Sequence, residues 1–320
     1  MESAKNFNLM QALKENAIYL VLLVLLMIIV IQEPSFLSLT NLSNILTQSS
    51  VRVIIALGVA GIIITQGTDL SAGRQVGLAA LIAATMLQAL TNVNKVFPTL
   101  GEVPIPAVIL LVCVVGALIG LVNGLIVAYL NVTPFITTLG TMIIVYGINS
   151  LYFDSVGASP VAGFDPRFSS FAQGFIRIGG FKLSYLTFYA AIASVFVWVL
   201  WNKTRFGKNI FAIGGNPEAA KVSGVNVAVN LVMIYALAGV FYAFGGMLEA
   251  GRIGSATNNL GFMYELDAIA ACVVGGVSFA GGVGTVAGVI TGVLIFTLIN
   301  YGLTYIGVSP YWQFIIKGGI

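Results

Sequence analysis

The sequence predicts an all-α polytopic membrane protein with glycine-rich, tight helix packing, and three observations predict it. Of its 320 residues 58% are hydrophobic and only 8% charged, against roughly a quarter charged in soluble domains. The mean hydropathy is +1.01. Apolar runs recur along the whole chain with short connectors between them, and at about 20 residues per span they leave room for roughly eight to ten helices and no soluble domain. Residues 1–320 are therefore expected to form a single transmembrane domain.

Residues 1–16 are polar and mildly basic through Lys5 and Lys14. The apolar run 17–31 is followed by Gln32, Glu33 and Pro34 rather than a small-residue cleavage pattern, so it is read as a retained first span. The next run, 53–65, covers only about 20 Å of a hydrocarbon core about 30 Å thick. Either its polar flanks extend the helix or it is half of a broken one. Runs at 76–90, 105–130, 135–153 and 183–201 follow, then a polar stretch at 202–228, then runs at 231–248, 266–279 and 283–299, and a last segment from Pro310. Cytoplasmic connectors carry the excess of Lys and Arg. Residues 1–16 and 202–228 thus belong on one side with six spans between them, which gives ten helices and both termini cytoplasmic. The sequence stops at Ile320 while still apolar, which reads as a truncated end.

The stretch 202–228 holds Lys203, Arg205, Lys208 and Lys221 against one acid, Glu218. Inside it, 216–224 reads as a short, fully punctuated helix. Asn216 suits the N-cap, Pro217 the first position, Glu218 the positive end of the dipole and Lys221 the negative end, with Gly224 as terminator. So small a helix buries little of its own. It is either an ordinary surface turn or a docking helix for a cytoplasmic partner. On the outer side the longest connector is 154–182, with Asp154, Asp165, Arg167, Arg177 and Lys182, and its amphipathic pieces suggest that it lies along the membrane surface. A second outer connector, 251–265, is polar around Asn258 and Asn259.

Glycines recur at four-residue spacing at Gly73 and Gly77, at Gly116, Gly120 and Gly124, and at Gly284, Gly288 and Gly292. That spacing makes a flat helix face on which backbones approach closely, within one subunit or across a dimer. Two glycine-rich stretches, 67–77 and 275–285, interrupt apolar sequence. Such breaks are tolerated at membrane depth where the freed backbone lines a cavity or is buried in protein. Their likeness hints at an internal repeat, but an inverted repeat would put them on opposite sides and the expected topology puts both on the cytoplasmic side.

Asp69 and Arg74 flank the first break and are expected near an interface or paired with each other, because a charge at the centre of a span costs roughly 2.5–3.5 kcal/mol. Elsewhere the helix interiors read as carrying neutral polar groups, Thr137, Thr138 and Thr141 among them. Such groups exchange hydrogen bonds with an uncharged polyhydroxylated solute at low desolvation cost. Gln66, Asp69, Ser71, Asn123, Asn149 and Asn300 are the pathway candidates; each taken singly also fits a helix-to-helix hydrogen bond. There is no histidine, and the two cysteines, Cys113 and Cys272, sit in apolar runs. A zinc site, a histidine-based triad and a disulfide framework have nothing to be built from. No GxxxxGK[ST] loop is present, so no nucleotide is expected on this chain, and a net charge of +3 gives no footprint for nucleic acid.

Five stretches, GTDLSAG (67–73), NVTPFITTLGTM (131–142), IGGNPEAAKVSGVNV (213–227), VVGGVSFAGGVGT (273–285) and GVSPYWQFIIKG (307–318), resemble in order those of the permease subunits of bacterial ATP-binding-cassette importers for monosaccharides. This is the ribose, xylose and galactose group, and the likeness runs along almost the whole chain, strongest toward the galactose type. The resemblance implies an inner-membrane homodimer that binds no cofactor itself. A cytoplasmic ATP-binding subunit would consume ATP with Mg, and a periplasmic sugar-binding protein would deliver the monosaccharide. It further implies that Asn216, Pro217, Glu218, Ala219, Ala220, Lys221, Ser223 and Gly224 enter the ATPase, with Glu218 and Lys221 as polar contacts. It implies ten helices with both ends inside, and a further apolar turn and basic tail beyond the position of Ile320. An ion-gradient carrier using Asp69, and an importer for ribose or xylose, are the competing readings.

Overall fold

The computed structural model describes residues 17–319, so the reading of residues 1–16 lies outside the described residues. Its helices are α1 (Ala17–Gln32), α2 (Leu39–Ile64), α3 (Ala72–Met86), α4 (Ile105–Tyr129), α5 (Pro134–Ser155), α6 (Pro166–Gln173), α7 (Tyr185–Lys203), α8 (Arg205–Gly215), α9 (Pro217–Val222), α10 (Val227–Ile253), α11 (Tyr264–Val274), α12 (Val286–Tyr305) and α13 (Pro310–Gly319). Short strands β1 (Val161–Ala162), β2 (Phe175–Ile178), β3 (Phe181–Ser184) and β4 (Ser255–Ala256) lie between them. Six of the helices, α2, α4, α5, α7, α10 and α12, are long and apolar enough to cross a membrane. The chain is an all-α polytopic membrane protein.

The short run at 53–65 is the end of a long helix and not half of a broken one. α2 begins at Leu39 because the Ser38 hydroxyl caps Asn41 N–H and the hydroxyls of Thr47, Ser49 and Ser50 donate to the carbonyls four residues back. Polar side chains satisfied on their own helix can enter a membrane. The run 266–279, by contrast, stops helically at Val274. Gly276 takes the left-handed conformation (φ 84°), and Val277 N–H closes onto the Cys272 carbonyl at 2.9 Å.

α10 is the axis of the molecule. On one side it meets α4 along the expected glycine ladder: a Cβ on Gly116 would strike the Gly239 carbonyl, one on Gly120 the Tyr235 carbonyl, and one on Gly124 the Val232 backbone. On another it meets α2, where Gly58 faces Ala238 and Tyr242, and Gly61 faces Ile234. Gly288 and Gly292 of α12 close in the same way on Gly275 and the Ala271 carbonyl at the end of α11. All of these seams lie within one chain.

α3, with 15 residues, and α11, with 11, are half-length. Asp267 of α11 pairs with Arg52, about 20 Å into α2, so α11 begins level with the middle of α2. α3 begins beside it, with Gly73 against Gly261 and Glu265, and Gly77 against Leu260. From that meeting point α3 runs one way, to Leu87, whose carbonyl accepts from Asp165 N–H at 2.8 Å. α11 runs the other way, to the turn that touches Gly214. The segments feeding them, 65–71 and 254–263, carry no helix. A long helix, a helix-free stretch and a half-length helix thus occur twice, α2–α3 and α10–α11 running in opposite directions, and the stretch that corresponds in place to 65–71 is 254–263 rather than 275–285.

The connector 154–182 is ordered over the ends of α3 and α10. β1 pairs antiparallel with β4, Gln88 donates to the Ala162 carbonyl at 3.0 Å, and Gln173 donates to the Gly251 carbonyl at 2.7 Å. Phe168 and Ala172 of α6 are buried, packed onto the side of Gly251.

Candidate functional site

α8 and α9 form a hairpin at the end of the molecule away from that cap. Thr204 caps α8, accepting from Gly207 N–H at 3.1 Å, and Ile210 and Ile213 seat it on the membrane helices. Asn216 accepts from Ala219 N–H at 3.0 Å and Pro217 opens α9. The Ser223 hydroxyl donates to the Ala219 carbonyl at 2.8 Å, and Gly224 turns the chain with φ 84°. Only Ala220 is buried. Glu218, Lys221 and Ser223 face outward, together with Val222, 89% exposed. Lys203, Arg205 and Lys208 are exposed beside them, and among the described residues none of these charges is ion-paired.

The hairpin is fastened to both half-length helices through their turns. Gln66 donates its side-chain amide to the Gly214 carbonyl at 2.8 Å and to the Ala280 carbonyl at 3.0 Å. Gly282 N–H donates to the Ile64 carbonyl at 2.9 Å. A Cβ on Gly214 would meet both Ile64 and Gly282 backbone. Gln66 itself sits at φ 63°, a left-handed conformation uncommon for a residue with a side chain. The ends of α2, α8 and the α11–α12 turn thus share one knot.

Of the other pathway candidates, Asp69, Ser71 and Asn123 come together. The Asp69 carboxylate, 1% exposed, accepts from Ser71 N–H at 2.9 Å and from the Ser71 hydroxyl at 2.5 Å. That hydroxyl in turn accepts from Gln75 at 2.8 Å and Asn123 at 3.1 Å, and Asn123 accepts from Thr141 at 2.5 Å. The chain of bonds ties the first break to α4 and α5. Asn149 stands apart, donating to the Asn258 carbonyl at 3.0 Å and so tying α5 to the second break. Asn300 lies elsewhere on α12, beside a small cavity lined by Leu22, Phe296 and Lys317.

The structure narrows one expectation about charge and overturns another. Among the described residues Arg74 makes no ion pair with Asp69. It lies over the ring of Tyr146 at 4.2 Å and that of Phe262 at 5.3 Å, because residue 69 precedes α3 and turns toward α4 whereas residue 74 faces α5. The helix interiors are also not free of further charge. Asp267 holds Arg52 and Lys317, each at 2.9 Å. Glu249 accepts two bonds from Arg252, at 2.8 and 2.9 Å, and a third from the Tyr264 hydroxyl at 2.6 Å. The Arg52 guanidinium lies 5.1 Å from the centre of the Tyr264 ring. The sequence offered these as lone charges at the edges of apolar runs, and only the fold assembles them.

Residues 41–320 match a family described as branched-chain amino acid transport system / permease component. The chain is 81% identical over 308 residues to the galactose/methyl galactoside import permease protein MglC of Salmonella typhimurium, covering 96% of this chain and 92% of that protein. It is 77% identical over 320 residues to MglC of Haemophilus influenzae, covering all of this chain and 94% of that protein. It is 39% identical over 302 residues to the ribose import permease protein RbsC of Bacillus subtilis, covering 94% and 88%. No solved structure matches the chain.

Proposed function

This chain belongs to the branched-chain amino acid transport system / permease component family, and from that premise we infer that it is the membrane-spanning permease subunit of an ATP-driven importer of galactose and methyl galactosides. The observation that carries the reading is the 81% identity to a galactose/methyl galactoside permease along 96% of the chain, against 39% to a ribose permease. The protein belongs to the cell inner membrane as a multi-pass subunit, and it is a transport component rather than an enzyme.

The finer reading is a single transmembrane domain over 1–320 with ten spans: α1 to α5, α7, and α10 to α13. The exposed Lys and Arg of 202–228 favour a cytoplasmic hairpin, which puts 154–182 in the periplasm and both termini inside. The expected partners are a cytoplasmic ATP-binding subunit that uses ATP and Mg, a periplasmic sugar-binding protein, a second permease copy and the monosaccharide. This chain would hold no cofactor.

In this mechanism residues 216–224 seat in the ATP-binding subunit through Glu218, Lys221 and the apolar knob of Val222. Movement of that subunit turns the hairpin, and Gln66 and Gly214 pass the displacement to α2 and the α11–α12 turn. The binding protein supplies affinity, so the permease needs only a pathway that grips the sugar weakly. The test is reconstitution with the ATP-binding subunit and a galactose-binding protein. Glu218→Ala/Lys221→Ala should abolish stimulation of ATP hydrolysis by loaded binding protein and lower galactose uptake at least ten-fold. Normal coupling in that variant would remove the hairpin from the mechanism, and uptake driven by a proton or sodium gradient without ATP would replace the mechanism altogether.

A further inference from the structure

We propose that the second break and the charged cluster beneath it form the wall along which the sugar crosses, an inference that rests on the importer reading above. Residues 253–264 border an open groove of about 330 Å³, lined by Ser255, Thr257, Asn259, Phe262 and Tyr264. Tyr264 also borders a narrow cavity behind it, with Arg52, Asp267 and Thr297. One tyrosine thus joins a polar mouth at the cap end to charges level with the middle of α2.

Three observations favour a pathway over a structural tie. First, Arg52, Asp267 and Lys317 keep 25%, 14% and 21% of their side chains exposed. Ionised groups at that depth do not face lipid; they face a bundle interior or a water-filled cavity. Second, backbone without helical hydrogen bonds, as in 257–263, is tolerated at membrane depth where it lines a cavity or is buried in protein, and here it borders the open groove. Third, Thr297 is 1% exposed and its hydroxyl has no hydrogen-bond partner among the described residues. A buried polar atom left unbonded is costly, and a hydroxylated solute would satisfy it once the narrow adjoining cavity widens.

The chemistry suits a neutral monosaccharide. Its hydroxyls donate to carboxylate oxygens and accept from guanidinium and ammonium groups, and its apolar ring face packs on the Tyr264 ring. Asp267 is already bonded to Arg52 and Lys317, and Glu249 to Arg252 and Tyr264. A passing sugar therefore exchanges partners with groups that have partners already, which keeps binding weak and release fast.

The test uses the whole importer in proteoliposomes, with its ATP-binding subunit and galactose-loaded binding protein. Thr257→Cys and Thr297→Cys are made with Cys113 and Cys272 replaced by alanine, and treated with a small membrane-impermeant thiol reagent. Both should react, Thr297→Cys at least ten-fold faster during ATP turnover than without nucleotide, and modification should stop uptake while ATP hydrolysis continues. Tyr264→Phe should lower uptake about three- to ten-fold with stimulated ATP hydrolysis retained. A Thr297→Cys permease that transports galactose yet stays unreactive through turnover overturns the proposal, as does full uptake by Tyr264→Phe. Absence of ATP-dependent galactose uptake by the unmodified complex would instead sink the functional reading itself.

Discussion

The side-chain amide of Gln66 reaches the backbone carbonyl of Gly214 at 2.8 Å, joining the end of the first long buried helix to the end of α8 across 148 residues of chain. Ala280 completes the knot from the α11–α12 turn.

Gln66→Ala should loosen this joint without unfolding the protein. Two partly exposed hydrogen bonds contribute about 1–3 kcal/mol together. The consequence to measure is galactose moved per ATP hydrolysed, expected to fall several-fold while hydrolysis persists. Gln66→Gly relaxes the left-handed backbone as well, so it should unfold at a higher temperature than Gln66→Ala while coupling equally poorly.

Gly214→Ala should be far worse than Gly215→Ala. The first puts a methyl group into the Ile64 and Gly282 backbone, whereas nothing lies within 4 Å of a Cβ on Gly215. Overpacking of this kind costs about 1–3 kcal/mol, and more where only backbone can yield. Thermal unfolding of the two variants in detergent should differ by several degrees; equal midpoints would contradict the tight junction.

Glu249→Ala strands Arg252, whose guanidinium makes both of its bonds to that carboxylate. Removing one partner of a buried pair costs about 3–5 kcal/mol, and replacing both by apolar side chains is often near neutral. Glu249→Ala should therefore fail to accumulate as a monodisperse protein, and Glu249→Leu/Arg252→Leu should recover. Failure of the double variant to recover would point to a role for the charges beyond balancing each other.

The cap should respond to acid. Asp165 caps α6 through Arg167 N–H at 2.8 Å and grips the Arg167 side chain, and this holds its carboxyl below the ordinary carboxylate value of 3.8. A carboxyl with a lowered folded pKa contributes stability in full above its unfolded value, and loses it as the pH falls through the folded one. Protease cleavage within 154–182 should rise only below about pH 4, whereas Asp165→Ala, which removes a cap contributing about 1 kcal/mol, should be cleaved faster at neutral pH.

Local chemistry was legible in the sequence and long-range assembly was not. Asn216, Pro217 and Gly224 announce α9 because capping is decided within a few residues, and the Gly116, Gly120 and Gly124 ladder marks a close seam because its spacing is that of the helix. The start of α2 at Leu39 was left open by its serines and threonines, which extend the helix only because their hydroxyls find carbonyls on it. Arg52, Glu249, Asp267 and Lys317 stood at the margins of four separate runs, where each looked like an end rather than a member of a set. The reversed correspondence was masked because the glycine-rich stretch 275–285 imitates the first break in composition, whereas 254–263 corresponds to it in place.

The backbone-on-backbone seam between Gly116 and Gly239 has one more implication. With no side chain interposed there is nothing to repack or compress, so α4 and α10 cannot part by small degrees; they stay joined or separate outright. A solute has no doorway between them, and any pathway through the permease must run along another face of this welded slab.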